Sequence, residues 1–406
     1  MMELPLSHDR RLQVEEFDSG KMLANAARQA KQRGYDQFPI VDVDSHHYEL
    51  ESFNEILEYM PDPVIKQLAL VANAGNSKGV GVMPGGVGYQ DMGGRVTRYP
   101  LRRIEKPEPG VHRDVSLARR WMDAMGVDIA VMFPSPMLQL GLHPQVEAEV
   151  ALAWAYNRWL CERVLAAEPR LCSMLYLPFN DPDESFKMVK AFAGKKGVVG
   201  FMVTSVRYRP VHHNSYMKLY AAIEELGLPL AFHAGYNWNE QSMTMMNKFI
   251  SVHAIGFVFY NMVHMTNWVL NAIPERFPKL KTIWIESGLA WLPFLIQRLD
   301  NEYLMRSSEC PGLKKLPGEY ITDMFYTSQP MEMPRDMSLL ESTFKCIKAE
   351  SQLLYSSDYP HWDFDLPSTI YDLPFLSETA KRSILGGNAA KLFNLDIGSK
   401  KLAQVA

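Results

Sequence analysis

A (β/α)8 barrel with an N-terminal arm and long insertions after strands 1 and 5 is the fold the sequence predicts, on three observations. Eight short, nearly unbroken apolar runs recur along the chain, as parallel strands covered on both faces require. Helical patterns lie between them. An ionisable residue closes several of the runs, where a barrel gathers its chemistry. An open doubly wound sheet shares this alternation and stays open on pattern alone, although no G-x-G-x-x-G follows any strand.

The elements follow in order. Residues 1–38 are polar and helix-prone, and read as an arm rather than a domain. FPIVDVD, opening just before Pro39, is the first strand. The others are VDIAVMF (127–133), CSMLYL (172–177), GVVGFMV (197–203), LPLAFH (228–233), KTIWIE (281–286), a weaker FYTS (325–328) and LLYSSD (353–358). The clearest helix carries Tyr216, Leu219, Tyr220, Ile223 and Leu226 at i, i+3, i+4 spacing and stops at Gly227, with Pro229 beyond. Further helices are expected over 150–165, 292–303 and 377–385. The barrel spans 39–395, with 396–406 as a tail.

Two stretches break the rhythm. Residues 60–120 hold the tract NAGNSKGVGVMPGGVGYQDMGGR, and residues 236–280 extend the connection after the fifth strand. Neither contains Gly-Lys-Ser/Thr, so neither is a phosphate loop. Excursions at strand C-termini are where barrels build lids and substrate walls; a solvated glycine loop is the equal alternative for the first.

With 47% apolar residues in 406, the chain can bury a large core, and barrels longer than about 250 residues remain one domain. A net charge of −4 without Lys/Arg blocks argues against nucleic acid or an anionic membrane as partner. The N-terminal MMELPLSHDRR lacks the apolar centre of a signal peptide. Four scattered cysteines suit neither a disulfide framework nor a zinc cluster, so reduced thiols in the cytoplasm are expected.

The strand ends carry the functional signal. The first closes as Asp42-Val43-Asp44-Ser45-His46, and residues two apart on a strand share a side, so Asp44 and His46 can grip one ion. The fifth ends in His233, the sixth in Glu286 and the eighth in Asp358. Taken singly, each has a structural explanation, such as a hydrogen-bonded histidine or a capping aspartate. Jointly, two histidines and two aspartates suit a divalent metal that activates a bound water.

IVDVDSHHYE, GLPLAFHAG, PERFPKLKTIWIESGLAWLPFLIQRLD, LLYSSDYPHWD and the closing ILGGNAAKLFNL occur in the order found in the amidohydrolase superfamily. The chain most resembles the amidohydrolase-related family that includes aminocarboxymuconate-semialdehyde decarboxylase, over residues 39–395. The resemblance implies Asp44 and His46 as the first-strand metal pair, His233 as the fifth-strand ligand and Asp358 as an eighth-strand carboxylate that binds metal and relays protons. Glu286 stands where decarboxylases of that family use an acid/base histidine.

Other polar groups are candidates for the mouth. His47, Glu49, His253 and Glu286 are potential further metal donors, with support of a ligand histidine the stronger reading for Glu49. Glu286, Asp358 and His253 are the candidate proton carriers. His264, in a mixed apolar helix, is expected to be structural. Arg207 and Arg209 could clamp a substrate carboxylate or face solvent. Tyr236, Trp238, Tyr359, His361 and Trp362 are candidate substrate walls.

The leading expectation is a hydrolase or lyase acting on a small organic acid, amide or lactone with a divalent ion, Zn²⁺ by default and Mn²⁺ or Fe²⁺ given the carboxylate-rich set. The alternative is a dinuclear non-haem iron or manganese oxygenase on the same barrel. A non-catalytic barrel supporting a paralogue is the third reading. The arm suggests assembly, as a homo-oligomer or with a paralogous chain.

Overall fold

The computed structural model describes residues 19–72, 106–204, 209–235, 237, 240–361 and 363–397. The Gly-rich tract, Arg207, Tyr236, Trp238, Trp362 and most of the C-terminal tail lie outside the described residues.

Eight parallel strands form one sheet in sequential order. They are β1 Val41–His47, β2 Ile129–Pro134, β3 Leu171–Tyr176 and β4 Val198–Thr204, then β5 Leu230–His233, β6 Thr282–Ile285, β7 Phe325–Thr327 and β8 Leu353–Leu354. Backbone hydrogen bonds carry the sheet across the β1/β8 seam: Val43 N donates to Tyr355 O at 2.9 Å, and Asp358 N donates to Asp44 O at 2.8 Å. The fold is therefore the expected (β/α)8 barrel. Its strands are buried almost throughout, which is why they read as unbroken apolar runs rather than alternating ones.

Helices cover the outside. Val146–Trp159 continues into a π-helical turn at Leu160–Leu165, and Met217–Glu225, Trp291–Arg306 and Glu378–Arg382 occupy the predicted helical stretches. Large aromatics pack the layers: Phe232 and Trp284, on adjacent strands, stack with centroids 4.5 Å apart, and Phe232 meets Trp268 of the helix Phe249–Leu270 edge-on. Each such buried ring contributes about 2–3 kcal/mol by leaving water. The ILGGN segment closes the base: a Cβ at Gly386 would overlap the carbonyl of Pro39, so only glycine lets that turn lie against the entry to β1.

The arm has a place on the barrel. Ser19–Arg33 is a helix that packs against the helix Arg113–Met125 and buries Leu23 and Ala26. Arg33 pairs with Asp372, and Tyr35 sets its ring edge-on to Tyr371. The connection after β5 is mostly the 22-residue helix Phe249–Leu270. Among the described residues it is the one helix long and apolar enough to cross a membrane; one side of it packs on the barrel.

Candidate metal centre

Five ionisable side chains from four strand ends meet inside the C-terminal mouth, all buried. β1 carries a bulge between Asp42 and Ser45, which re-aims successive side chains at this point. Asp42 turns to the seam: its carboxylate accepts from Ser357 N at 2.9 Å and from Ser357 Oγ, tying β1 to the loop after β8. Burial pushes its carboxyl up to about 7. Asp44 and His46 point into the mouth.

Asp44 Oδ1 lies 3.2 Å from His46 Nε2 and 3.3 Å from His233 Nε2, and Asp358 Oδ1 is 3.3 Å from His46 Nε2. Donors bonded to one ion at about 2.1 Å stand roughly 3.0–3.4 Å apart in octahedral or tetrahedral arrangement, so these spacings fit a shared ion. Glu286 joins the group through Oε2, 3.6 Å from His233 Nδ1.

The histidine tautomers fit too. His46 Nδ1 faces Pro134 O at 3.0 Å, and His233 Nδ1 faces Ala234 O at 3.0 Å. Each carbonyl can only accept, so Nδ1 carries the proton and Nε2 offers its lone pair inward. Asp44 Oδ2 and His46 Nε2 are buried without a hydrogen-bond partner, a cost that a cation would remove. Burial acts to raise the Asp44 carboxyl; in the metal-free protein a proton on His233 and His46 would outweigh it and hold the carboxyl low, the place a cation takes when bound. Burial lowers the His46 imidazole.

Glu286 and Asp358 both occupy the left-handed backbone region, at φ 57° and 59°. Such conformations cost non-glycine residues about 1–3 kcal/mol and concentrate at functional sites. Here each turns a carboxylate over the mouth just past its strand. Thr327 Oγ1 accepts from Glu286 N at 3.1 Å and supports that turn.

Several sequence candidates are committed elsewhere. His47 points out of the barrel, its Nδ1 3.2 Å from Asp114 Oδ1 and its Nε2 2.8 Å from Tyr156 OH, so neither nitrogen is offered to the mouth. Glu49 accepts from Ser135 N at 2.9 Å and Met137 N at 2.6 Å, which makes it a brace between the β1 and β2 loops rather than a ligand. Burial pushes its carboxyl up to about 7. His253 lies between Phe249 and Phe257 on the long helix, outside the donor group. His264 is buried in the same helix, as expected of a structural residue. Tyr359 packs its ring against Trp121 and Phe364 and lines a small cavity with His46 and His47. Arg209 reaches Ser215 Oγ at 3.5 Å.

His361 does reach the centre, with its ring stacked on His46 at 4.3 Å. Ser135, just after β2, was not singled out in the sequence, yet its Oγ lies 3.2 Å from His361 Nε2. A polar residue ending an apolar run was the available signal, and one serine among many is too weak to act on.

Known proteins resemble the chain as follows. 2-Amino-3-carboxymuconate-6-semialdehyde decarboxylase from Dictyostelium discoideum is 22% identical over 274 residues, which cover 66% of this chain and 74% of that protein. Gamma-resorcylate decarboxylase from Polaromonas sp. strain JS666 is 20% identical, covering 68% of this chain and 86% of that protein. Among solved structures, an amidohydrolase from Mycobacterium avium subsp. paratuberculosis K-10 superposes with a TM-score of 0.65 at 21% identity, covering 88% of this chain and 99% of the other. A dihydroxybenzoic acid decarboxylase from Polaromonas sp. JS666, with bound manganese and 2-nitroresorcinol, gives 0.62 at 17% identity, covering 89% and 99%. At such identities the structural likeness speaks for the fold alone. Residues 122–395, more than half of the chain, match the Amidohydrolase family, and the chain belongs to that family.

Proposed function

We propose that the chain is a metal-dependent, decarboxylase-like lyase that removes the carboxyl group of a small aromatic acid. The buried cluster of Asp44, His46, His233 and Glu286, with Asp358 Oδ1 3.3 Å from His46 Nε2, carries this reading. Asp44, His46, His233 and Asp358 would hold the ion and Glu286 would border it. The mixed oxygen and nitrogen donor set suits Mn²⁺ or Zn²⁺, and the manganese bound in a related fold favours Mn²⁺. The relatives reported above, both decarboxylases of carboxylated substrates, support the lyase over the hydrolase.

A divalent ion there would polarise a substrate oxygen as a Lewis acid. The chain's own residues supply the rest. Breaking the bond to CO2 leaves an electron pair on the carbon, which must then take up a proton. Glu286, held over the mouth by its left-handed backbone, is the residue we assign to deliver that proton from its carboxyl. Asp44 Oδ1, 3.2 and 3.3 Å from the two histidine nitrogens, would share the ion with them. A dinuclear oxygenase is disfavoured, because His47 and Glu49 are committed to other partners. The four cysteines are free, in keeping with a reducing, cytoplasmic compartment.

The test is elemental analysis of protein purified without added metal, then anaerobic incubation with 2,6-dihydroxybenzoate and related hydroxylated benzoates. We expect one divalent ion per chain and CO2 release without O2. Two iron or manganese ions per chain with O2 consumed in turnover would overturn the proposal, as would amide or lactone hydrolysis without decarboxylation.

A further inference from the structure

The sequence after β8 runs Asp358-Tyr359-Pro360-His361, a tight reversal in which His361 N donates to Asp358 O at 2.8 Å. This turn brings the His361 imidazole back over the carboxylate three residues earlier, with Nδ1 2.6 Å from Asp358 Oδ1. So short a contact is of the charge-assisted kind. Nε2 is held at the other end, 3.2 Å from Ser135 Oγ. The ring face lies on His46, 4.3 Å between centroids and tilted by 29°. One imidazole thus touches two members of the donor set, from β1 and from the β8 loop, and is pinned to a third element after β2. It is 3% exposed, so this pose is not one of several on a surface.

We propose that His361 is a positioning residue of the metal centre, fixing the rotamer of Asp358 through Nδ1 and the plane of His46 through stacking. The inference rests on the metal-dependent reading above and gives His361, a candidate substrate wall by sequence, a role at the donor set. A carboxylate oxygen carries two lone pairs, so Asp358 Oδ1 can accept from His361 and still face an ion. The left-handed backbone of Asp358 makes such a hold necessary, because that carboxylate leaves the sheet on a conformation the strand does not enforce. Ser135 Oγ sets the direction of the ring through Nε2.

The experiment compares His361→Asn, His361→Gln and Asp44→Asn with the parent protein, loading each with Mn²⁺ against a competing chelator and recording apoprotein melting separately. Asparagine places an amide near the Nδ1 position and can still donate to Asp358; glutamine reaches the Nε2 position and cannot do both. Loss of a partner that orients a ligand lowers metal affinity about 10- to 100-fold. We expect His361→Gln to show that loss and His361→Asn to recover most of it, with apoprotein melting unchanged for both. Parental affinity in His361→Gln, equal losses in the two variants, or a matching fall in apoprotein melting would each overturn the inference. A parent protein that binds no Mn²⁺ or Zn²⁺ would instead remove the metal reading itself, and Asp44→Asn shows which case holds.

Discussion

Asp44→Asn is the most informative perturbation of the mouth. Asp44 Oδ1 faces two imidazole nitrogens at 3.2 and 3.3 Å, and both rings have their Nδ1 protons directed at backbone carbonyls. Three electron-rich atoms therefore crowd one point, which is favourable only with a cation or a proton between them. In the metal-free protein the asparagine amide can donate to one of those nitrogens, so the variant removes a buried charge and leaves no more acceptors unpaired than the parent, where Asp44 Oδ2 and His46 Nε2 already lack partners. Apoprotein stability should match or exceed that of the parent. Metal affinity should fall more than the roughly 10- to 100-fold seen for residues that only support a ligand, that is, by about 2.7 kcal/mol or more. Ligand at 100 times its Kd stabilises a native state by about 2.7 kcal/mol. With an unfolding entropy of about 0.8 kcal/mol/K for a chain of this length, that is an upward Tm shift of about 3 °C. Differential scanning fluorimetry with and without Mn²⁺, beside metal analysis, reads both quantities. A variant that still gains the parental shift, or whose apoprotein melts well below the parent, would refute the reasoning.

Glu286→Gln should retain metal and fold while turnover of a decarboxylated substrate falls on the order of 10²-fold or more; near-parental turnover would return Glu286 to a structural role. Burial pushes the Asp365 carboxyl up to about 7, so the native state holds a proton that the unfolded chain releases above pH ~4. Native stability should therefore decline between pH 4 and 7 from this group, by at most about 4 kcal/mol, and level off above. Asp365→Asn should be close to the parent at pH 4 and gain on it towards pH 8; a difference independent of pH in denaturant titrations contradicts the assignment. The long helix Phe249–Leu270 has no charged residue, yet Ile255 is 48% and Val263 39% exposed, and we expect a second copy or a paralogous chain to cover that side. Ile255→Lys should shift the assembly towards monomer in light scattering, and a monomeric parent at micromolar concentration would rule the interface out.

The barrel was legible because its strands are buried on both faces, so each appears as an apolar run whatever its neighbours do. The runs LPLAFH and KTIWIE differ from β5 and β6 by no more than two residues at either end. LLYSSD was read as one strand, but only Leu353 and Leu354 pair with β7; Tyr355 to Asp358 bend across the seam to β1. Residues 1–38 read as an arm without a place, because the docking of the described part depends on Leu23, Ala26 and Tyr35 meeting surfaces that arise only once the barrel closes. Backbone conformation was out of reach altogether: nothing in the letters of Glu286 or Asp358 marks a positive φ.

Strand alternation explains which candidate donors reach the mouth. Asp44 and His46 share a side and His47 takes the other, where Asp114, from the helix after the first excursion, and Tyr156 receive it. Ser52 Oγ donates to the second oxygen of Asp114 at 2.8 Å, so that outward network is closed. The DSHH motif therefore splits into an ion-facing pair and a bolt that fastens β1 to the helix layer. Counting histidines in the motif overstates the donors available, because His47 holds the pair in register instead. Among the described residues the mouth holds two donor groups that share His46: Asp44, His46, His233 and Glu286, and His46, Asp358 and His361. That division of labour gives one side of β1 to chemistry and the other to rigidity, and it takes His47 out of the set of donors a second ion would need.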